Sequence, residues 1–252
     1  MNSNKYVLRI LLVFSFITAS VWAQKTDFYK SQGYTSLFNG KDLSNWVIPE
    51  ENNNSWSVFQ GTIDCALTYS DKQKAKRHLT TKKKYKDFAL HIEWRFKGYG
   101  GSFYKMPIIL PNGDYVLDEH GEKVVRMKPN ADSGILLKGV GQVNLWCWDV
   151  GSGELWHVRN NKKLPSEVRA GAVPTSNQDN PVGSWNAMDV YVKGNRITVV
   201  NNGIIVIDNA LYPGLDVEGE IALQHHGKRS KDGKLGPTAS LVQFKNIWIK
   251  EL

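Results

Sequence analysis

From Met188 to Asp208 the chain reads MDVYVKGNRITVVNNGIIVID. Apolar residues recur at alternate positions, the period of a half-buried strand rather than of a helix. Two breaks interrupt the pattern, at Lys193-Gly194-Asn195 and at Asn201-Asn202-Gly203. Asn-Gly is a strong hairpin signal, because both residues tolerate positive φ. A segment like this buries its apolar face only by pairing with itself and with further strands.

The same period recurs elsewhere. FALHIEWRF puts Phe88, Leu90, Ile92, Trp94 and Phe96 on one face, and Ala89, His91, Glu93, Arg95 and Lys97 on the other. SWSVFQGTIDC, residues 55–65, reads as an early strand; GEIALQHHG and LVQFKNIWIKEL read as two late ones. Past the N-terminal leader, no stretch keeps a 3.6-residue apolar period over three turns. Short strands divided by Gly, Asn and Asp turns predict an all-β fold, a two-sheet antiparallel sandwich or jelly roll. The irregular stretches 98–130 and 160–184 are too long for plain connections and are expected to border a site.

The N-terminus has a different character. MNSNKYVLRILLVFSFITASVWA carries Lys5 and Arg9, then an apolar run from Ile10 to Val21. Val21 and Ala23 sit at the small-residue positions before a cut, so 1–23 is expected to be a secretory signal peptide cleaved after Ala23. The run is shorter than the ~20 residues that span a bilayer, so no membrane span is expected. The expected location is the periplasm or the extracellular space. Residues 24–33 form an N-terminal segment, and 34–252 a single domain.

The formal net charge is +8. Much of the excess is local, in SDKQKAKRHLTTKKKYKD at 70–87. No nucleic-acid-binding motif accompanies it, and nucleic acid is not an expected partner. Lysines that blunt an exposed sheet edge account for the run; attraction to an acidic polysaccharide is the alternative. Cys65 and Cys147 are the two cysteines. Export permits a disulfide between them, and two buried thiols packed as small hydrophobes fit equally well.

The chemistry concentrates in GQVNLWCWDVGSGELWHVR, residues 141–159. Strand alternation puts Gln142, Asn144, Trp146 and Trp148 on one face, and Val143, Leu145 and Cys147 on the other. Indoles stack on the apolar faces of sugar rings, and amides bond hydroxyls in both directions. The expected partner is therefore a carbohydrate. The alternative is an inverted register with both tryptophans in the core. In IALQHHG, Gln224 and His226 share a face with Ala222, opposite Ile221, Leu223 and His225. His226 is the first choice for general acid/base or metal ligand; the alternative is a histidine that only ties a strand end to a turn. Glu154 and His157 follow the Gly151-Ser152-Gly153 turn and are candidates to join His226 in catalysis. The same three side chains leave a divalent metal open. Glu93 and Arg95 could bind sugar or a metal, or form a salt bridge on a solvated face. No Gly-x-Ser-x-Gly elbow or phosphate loop is present, and the close carboxylate pair of a retaining glycosidase is not visible.

Several motifs now line up: TSLFNGKDLSNW at 35–46, DFALHIEWR, ADSGILLKG at 131–139, GSWNAMDVYVKGNRITVVNNG, IALQHHG and VQFKNIWIKEL. Together they resemble the 3-keto-disaccharide hydrolase family across 34–252. The resemblance implies a jelly roll of the concanavalin-like lectin/glucanase type, with the sugar site on a concave sheet. It implies cleavage of glycosides already oxidised at C3. By position it adds Asp132 and Lys138 as sugar or metal contacts, and it matches Gln224 and His226 to the family's Leu-Gln-x-His-Gly motif. The chain departs from the common pattern at Asp132-Ser133-Gly134, where many members have Asn-Ser-Gly. It departs again at QVNLWCWDVGSGE, where many have a Tyr-Glu-Val-Gln strand. A 3-keto group acidifies the C2 hydrogen, so a base, an enolate stabiliser and an acid suffice for β-elimination. Water addition then gives net hydrolysis. A non-catalytic lectin-like module would use the same face, since fold does not fix function.

Overall fold

The computed structural model describes residues 26–50, 55–66, 78–227 and 229–252. The leader at 1–23 and part of the basic run at 70–87 lie outside the described residues. The chain divides into two compact units, one ending at Thr35 and one spanning Ser36 to Leu252. In the first, 26–31 form a short helix, α1. β1 (Thr35–Ser36) marks the boundary.

The second unit is the expected antiparallel jelly-roll sandwich. Its larger sheet holds, in chain order, β3 (Trp56–Phe59), β4 (Thr62–Cys65), β6 (Phe88–Phe96), β11 (Asn186–Lys193), β12 (Arg196–Asn201), β13 (Ile204–Leu211) and β15 (Val242–Glu251). Their spatial order is β13-β12-β11-β6-β15-β4-β3. The smaller sheet holds β2 (Trp46–Val47), β5 (Leu79–Tyr85), β9 (Asp132–Leu137), β10 (Gly141–Trp146) and β14 (Gly219–Leu223), in the order β10-β9-β14-β5-β2. A separate hairpin pairs β7 (Tyr104–Pro107) with β8 (Val125–Lys128). The helices α2 (Trp156–Arg159) and α3 (Ser166–Ala170) are single turns. Among the described residues, no helix is long and apolar enough to cross a membrane.

The turns follow local chemistry. Asn202 (φ +50°) and Gly203 (φ +83°) close the β12–β13 hairpin with two consecutive positive φ values, as a type I′ turn requires. Residues 55–65, expected as one strand, are instead the β3–β4 hairpin. Gln60 (φ +47°) and Gly61 (φ +73°) make the same turn there. A glutamine gives no positive-φ signal of its own, which hid the turn.

One core lies between the sheets. Phe88, Leu90, Ile92, Trp94 and Phe96 of β6 face Ile135 and Leu137 of β9, Val143 and Leu145 of β10, and Ile221 and Leu223 of β14, all buried in one cluster. Alternation then fixes what the smaller sheet shows on its outer face: Asp132 and Gly134 of β9, and Gln142, Asn144 and Trp146 of β10.

Candidate active site on the outer face of the smaller sheet

The register sets the floor of the site. Asn144 pairs with Gly134, and Trp146 with Asp132. On the other side of β9, the Gln224 backbone N–H donates to the Gly134 carbonyl at 2.9 Å. Gly134 therefore lies between two amide-bearing residues. A Cβ there would meet Gln224 Oε1 at 3.1 Å and the Val143 carbonyl at 3.2 Å. Its missing side chain lets the floor assemble. Gln224 Nε2 donates to Gln142 Oε1 at 3.3 Å, Gln142 Nε2 donates to Asn144 Oδ1, and Asn144 Nδ2 donates to Glu154 Oε2 at 2.9 Å. Gly134→Ala is expected to displace the Gln224 amide, raising KM or Kd for sugars about 2- to 5-fold with little loss of fold, since one misplaced neutral hydrogen bond costs on the order of 1 kcal/mol. Titration with a ligand sugar beside a melting curve checks this.

Above the floor stands His226, just past β14. Its backbone N–H donates to Ser240 Oγ at 2.7 Å, and Ser240 Oγ donates to the Asp132 carbonyl at 2.6 Å. Its Nδ1 lies 3.1 Å from the Thr238 carbonyl. A carbonyl only accepts, so this contact places the proton on Nδ1 and leaves Nε2 as the basic nitrogen. The Asp132 carboxylate is 3.9 Å from Nδ1. Burial pushes the Asp132 carboxyl up to about 6, against the lowering effect of His226.

Asp132, Gln142, Asn144, Gln224 and His226 line one cavity of about 450 Å³, together with Trp146, Trp148, Trp156, His157, Thr238 and part of the stretch 98–130. That stretch is not a plain loop. The β7–β8 hairpin is extended by bridges pairing Ile109 with Tyr115 and Leu117 with Lys123. This arm contributes Tyr104, Lys105, Pro107, Tyr115 and Lys123 to the cavity. None of these was singled out from sequence; the length of the irregular stretch was the available signal.

The tryptophans follow the expected register but not the expected use. Val143 and Leu145 are in the core, whereas Trp146 and Trp148 form a separate cluster with Met106 of β7. The two indoles stack on each other, centroids 4.2 Å apart and planes 7° apart. They are 3% and 8% exposed, so they build a wall rather than offer a free stacking face. The free indole is Trp156, 41% exposed, at the rim and edge-on to His157. Burial lowers the His157 pKa.

Glu154 takes a different place from the one expected of a catalytic group. It is fully buried beneath the floor. Its carboxylate accepts from Asn144 and from Arg159 Nε. Arg159 NH2 in turn donates to the Tyr115 hydroxyl at 3.1 Å. Burial pushes Glu154 up to about 7, although Arg159 and the Asn144 hydrogen bond lower it. Glu154 is thus a support for Asn144 and Tyr115. It cannot join His157 and His226 around a metal from there. Among the described residues, no group of three or more His, Cys, Asp or Glu side chains is gathered so as to hold one.

Glu93, Arg95 and Lys138 stand away from the cavity. Sequence alternation placed Glu93 and Arg95 on a polar face, but not on which sheet. β6 is central to the larger sheet, so that face lies across the sandwich from the cavity. Glu93 pairs with Lys245 at 3.5 Å. Arg95 donates to Gln243 Oε1 at 2.9 Å and lies over the Trp185 ring. Lys138 follows the far end of β9, ~20 Å along the strand from Asp132 at about 3.3 Å per residue. Its ammonium donates to the Leu215 carbonyl at 2.9 Å. Cys65 and Cys147 are both free thiols.

An antiparallel sandwich with amides, a tethered imidazole and an exposed indole around one outer-face cavity fits the carbohydrate-active class of protein. Within that class, the chain belongs to the 3-keto-alpha-glucoside-1,2-lyase-like family, whose domain model matches residues 33–250. Two solved structures from Parabacteroides distasonis, both provisionally described as glycosyl hydrolases, are similar to it. One is 20% identical, with 89% of this chain and 96% of that chain covered and a TM-score of 0.52. The other is 18% identical, covering 87% and 99%, with a TM-score of 0.47. No curated protein matches the chain.

Proposed function

We propose that this chain is an exported enzyme that opens 3-keto-glycosides by elimination, with or without rehydration of the product. The observation that carries this reading is His226. Its Nδ1 is tethered to Thr238, its Nε2 is left as the basic nitrogen, and it stands over an amide floor beside Asp132.

Nε2 removes the C2 proton, and the electron pair delocalises onto the C3 oxygen. That pair then forms the C1=C2 bond as the C1–O bond breaks. The departing oxygen takes a proton from Asp132, whose raised pKa keeps part of it protonated near neutral pH. A carboxyl group and an imidazole with distinct environments suit the two roles. Among the described residues, Asp132 is the one carboxylate lining the cavity, so the developing enolate meets little repulsion. Addition of water across C1=C2 gives the hydrolysed 3-keto sugar. Gln142, Asn144 and Gln224 orient ring hydroxyls, and Trp156 supplies a stacking face.

The test compares 3-keto-glycosides with their unoxidised parents, following products by NMR. Cleavage confined to the oxidised set is expected, and an unsaturated product distinguishes elimination from completed hydrolysis. Asp132→Asn is expected to lose about a hundredfold on alkyl leaving groups, as a missing general acid does. It should be nearly unchanged on nitrophenyl ones, which depart without a proton. Glycan binding with no turnover of any substrate would leave a lectin-like module. Export is checked by the N-terminal sequence of the protein recovered outside the cytoplasm, expected to begin at Gln24.

A further inference from the structure

The basic residues around the cavity are not treated alike. Arg126 and Lys128 of β8 both pair with Asp149. Lys162 and Arg169 both pair with Asp114. None of these four lines the cavity. Lys105 and Lys123, which do line it, form no ion pair with any described carboxylate. Lys123 is nonetheless held in place, its ammonium 4.0 Å from the centroid of the Tyr115 ring. The Arg159 guanidinium also lies over that ring, at 4.8 Å. Of the arm's four cations, Arg126 and Lys128 are thus neutralised by a carboxylate, while Lys105 and Lys123, both exposed, are not. The remaining charged or titratable groups facing them are His157, His226 and Asp132, with the Tyr104 and Tyr115 phenols.

We propose that the glycoside taken by this cavity carries a standing negative charge, a carboxylate or a sulfate ester, which Lys105 and Lys123 receive. A compact ammonium suits such a group as a point charge, and a concave site whose cations outnumber its one carboxylate, Asp132, favours an anion. The inference rests on the cavity being the sugar site, and it deepens that reading by naming the substrate class.

The experiment titrates the wild-type protein with three disaccharides matched in linkage: a neutral glucoside, its uronate and its sulfate ester. Calorimetry at low and high salt reads affinity. Lys105→Gln, Lys123→Gln and the double variant are compared. An acidic disaccharide is expected to bind about tenfold more tightly than the neutral one. That preference should shrink at high salt and vanish in the double variant, while neutral binding changes little. Which acidic arm binds better identifies carboxylate or sulfate. Equal affinity for neutral and acidic sugars overturns the proposal, as does a preference that survives the double variant. A loss of turnover in the variants with unchanged affinities also overturns it, because the lysines would then serve only the enolate. Cleavage is read separately. Neutral 3-keto-glycosides cleaved without acidic preference sink this inference and leave the reaction standing. Acidic preference without cleavage does the reverse.

Discussion

Arg159→Leu is expected to cost about 3–5 kcal/mol of stability, the usual penalty for leaving one member of a buried ion pair unpaired. Arg159 is 0% exposed, as is Glu154. Its guanidinium reaches Glu154, the Gly113 carbonyl and the Tyr115 hydroxyl. Leucine fills part of the volume but satisfies none of those acceptors. For a domain of this size, each kcal/mol lowers Tm by about 2–4 °C, so a fall of roughly 6–20 °C should appear in a melting curve. The loss depends on pH. Burial raises the folded-state pKa of Glu154 to about 7, above its unfolded value. Below that pH the carboxyl is neutral in wild type and variant alike, and little charge is orphaned. Above it, wild type holds a carboxylate against Arg159, while the variant must bury the charge alone or keep the proton. The deficit should therefore be larger at pH 8 than at pH 5. Replacing both partners, as in Glu154→Gln with Arg159→Met, should recover much of it. A deficit below about 1 kcal/mol at pH 8 would mean that the pair contributes no more than an exposed one.

The fate of this pair shows what one sequence conceals. Glu154 reads as a site residue because it follows a glycine turn beside two tryptophans. Nothing in the local pattern says that Arg159, five residues on, turns inward and captures it. The floor was legible for the opposite reason. Strand alternation alone separates Gln142 and Asn144 from Val143 and Leu145, and the register then carries Gly134 and Gln224 to the same place. Alternation is silent on which sheet a strand joins, so Glu93 and Arg95 look equivalent to Gln142 until β6 is seen in the other layer. The arm was the least legible part. Tyr104, Tyr115, Lys105 and Lys123 are brought together by pairings within an irregular stretch, and no period announces them. Trp146 and Trp148 were placed on the right face, but their mutual stacking depends on Met106 and Tyr104, which arrive from the arm.

His226→Ala should reduce turnover of 3-keto-glycosides by about 10²–10⁴-fold, the range expected when a positioned general base is lost. The fold should survive. The His226 side chain is 40% exposed, and its one hydrogen bond among the described residues, to Thr238, contributes on the order of 1 kcal/mol. Affinity for the sugar should change far less than turnover, because the floor of Gln142, Asn144 and Gln224 does not depend on the imidazole. His226→Gln makes the argument sharper. Glutamine retains a donor for the Thr238 carbonyl and fills similar space, yet it has no basic nitrogen. If His226 only ties the strand end to its turn, the glutamine variant should restore activity; if Nε2 takes the C2 proton, it should stay as inactive as alanine. A substrate deuterated at C2 supplies a readout that a structural role cannot move. Wild type should show a primary isotope effect and exchange C2 deuterium with solvent, and both variants should lose that exchange along with cleavage. Exchange that persists in His226→Gln would place the base on another residue of the cavity, with His157 at the rim the remaining imidazole to examine.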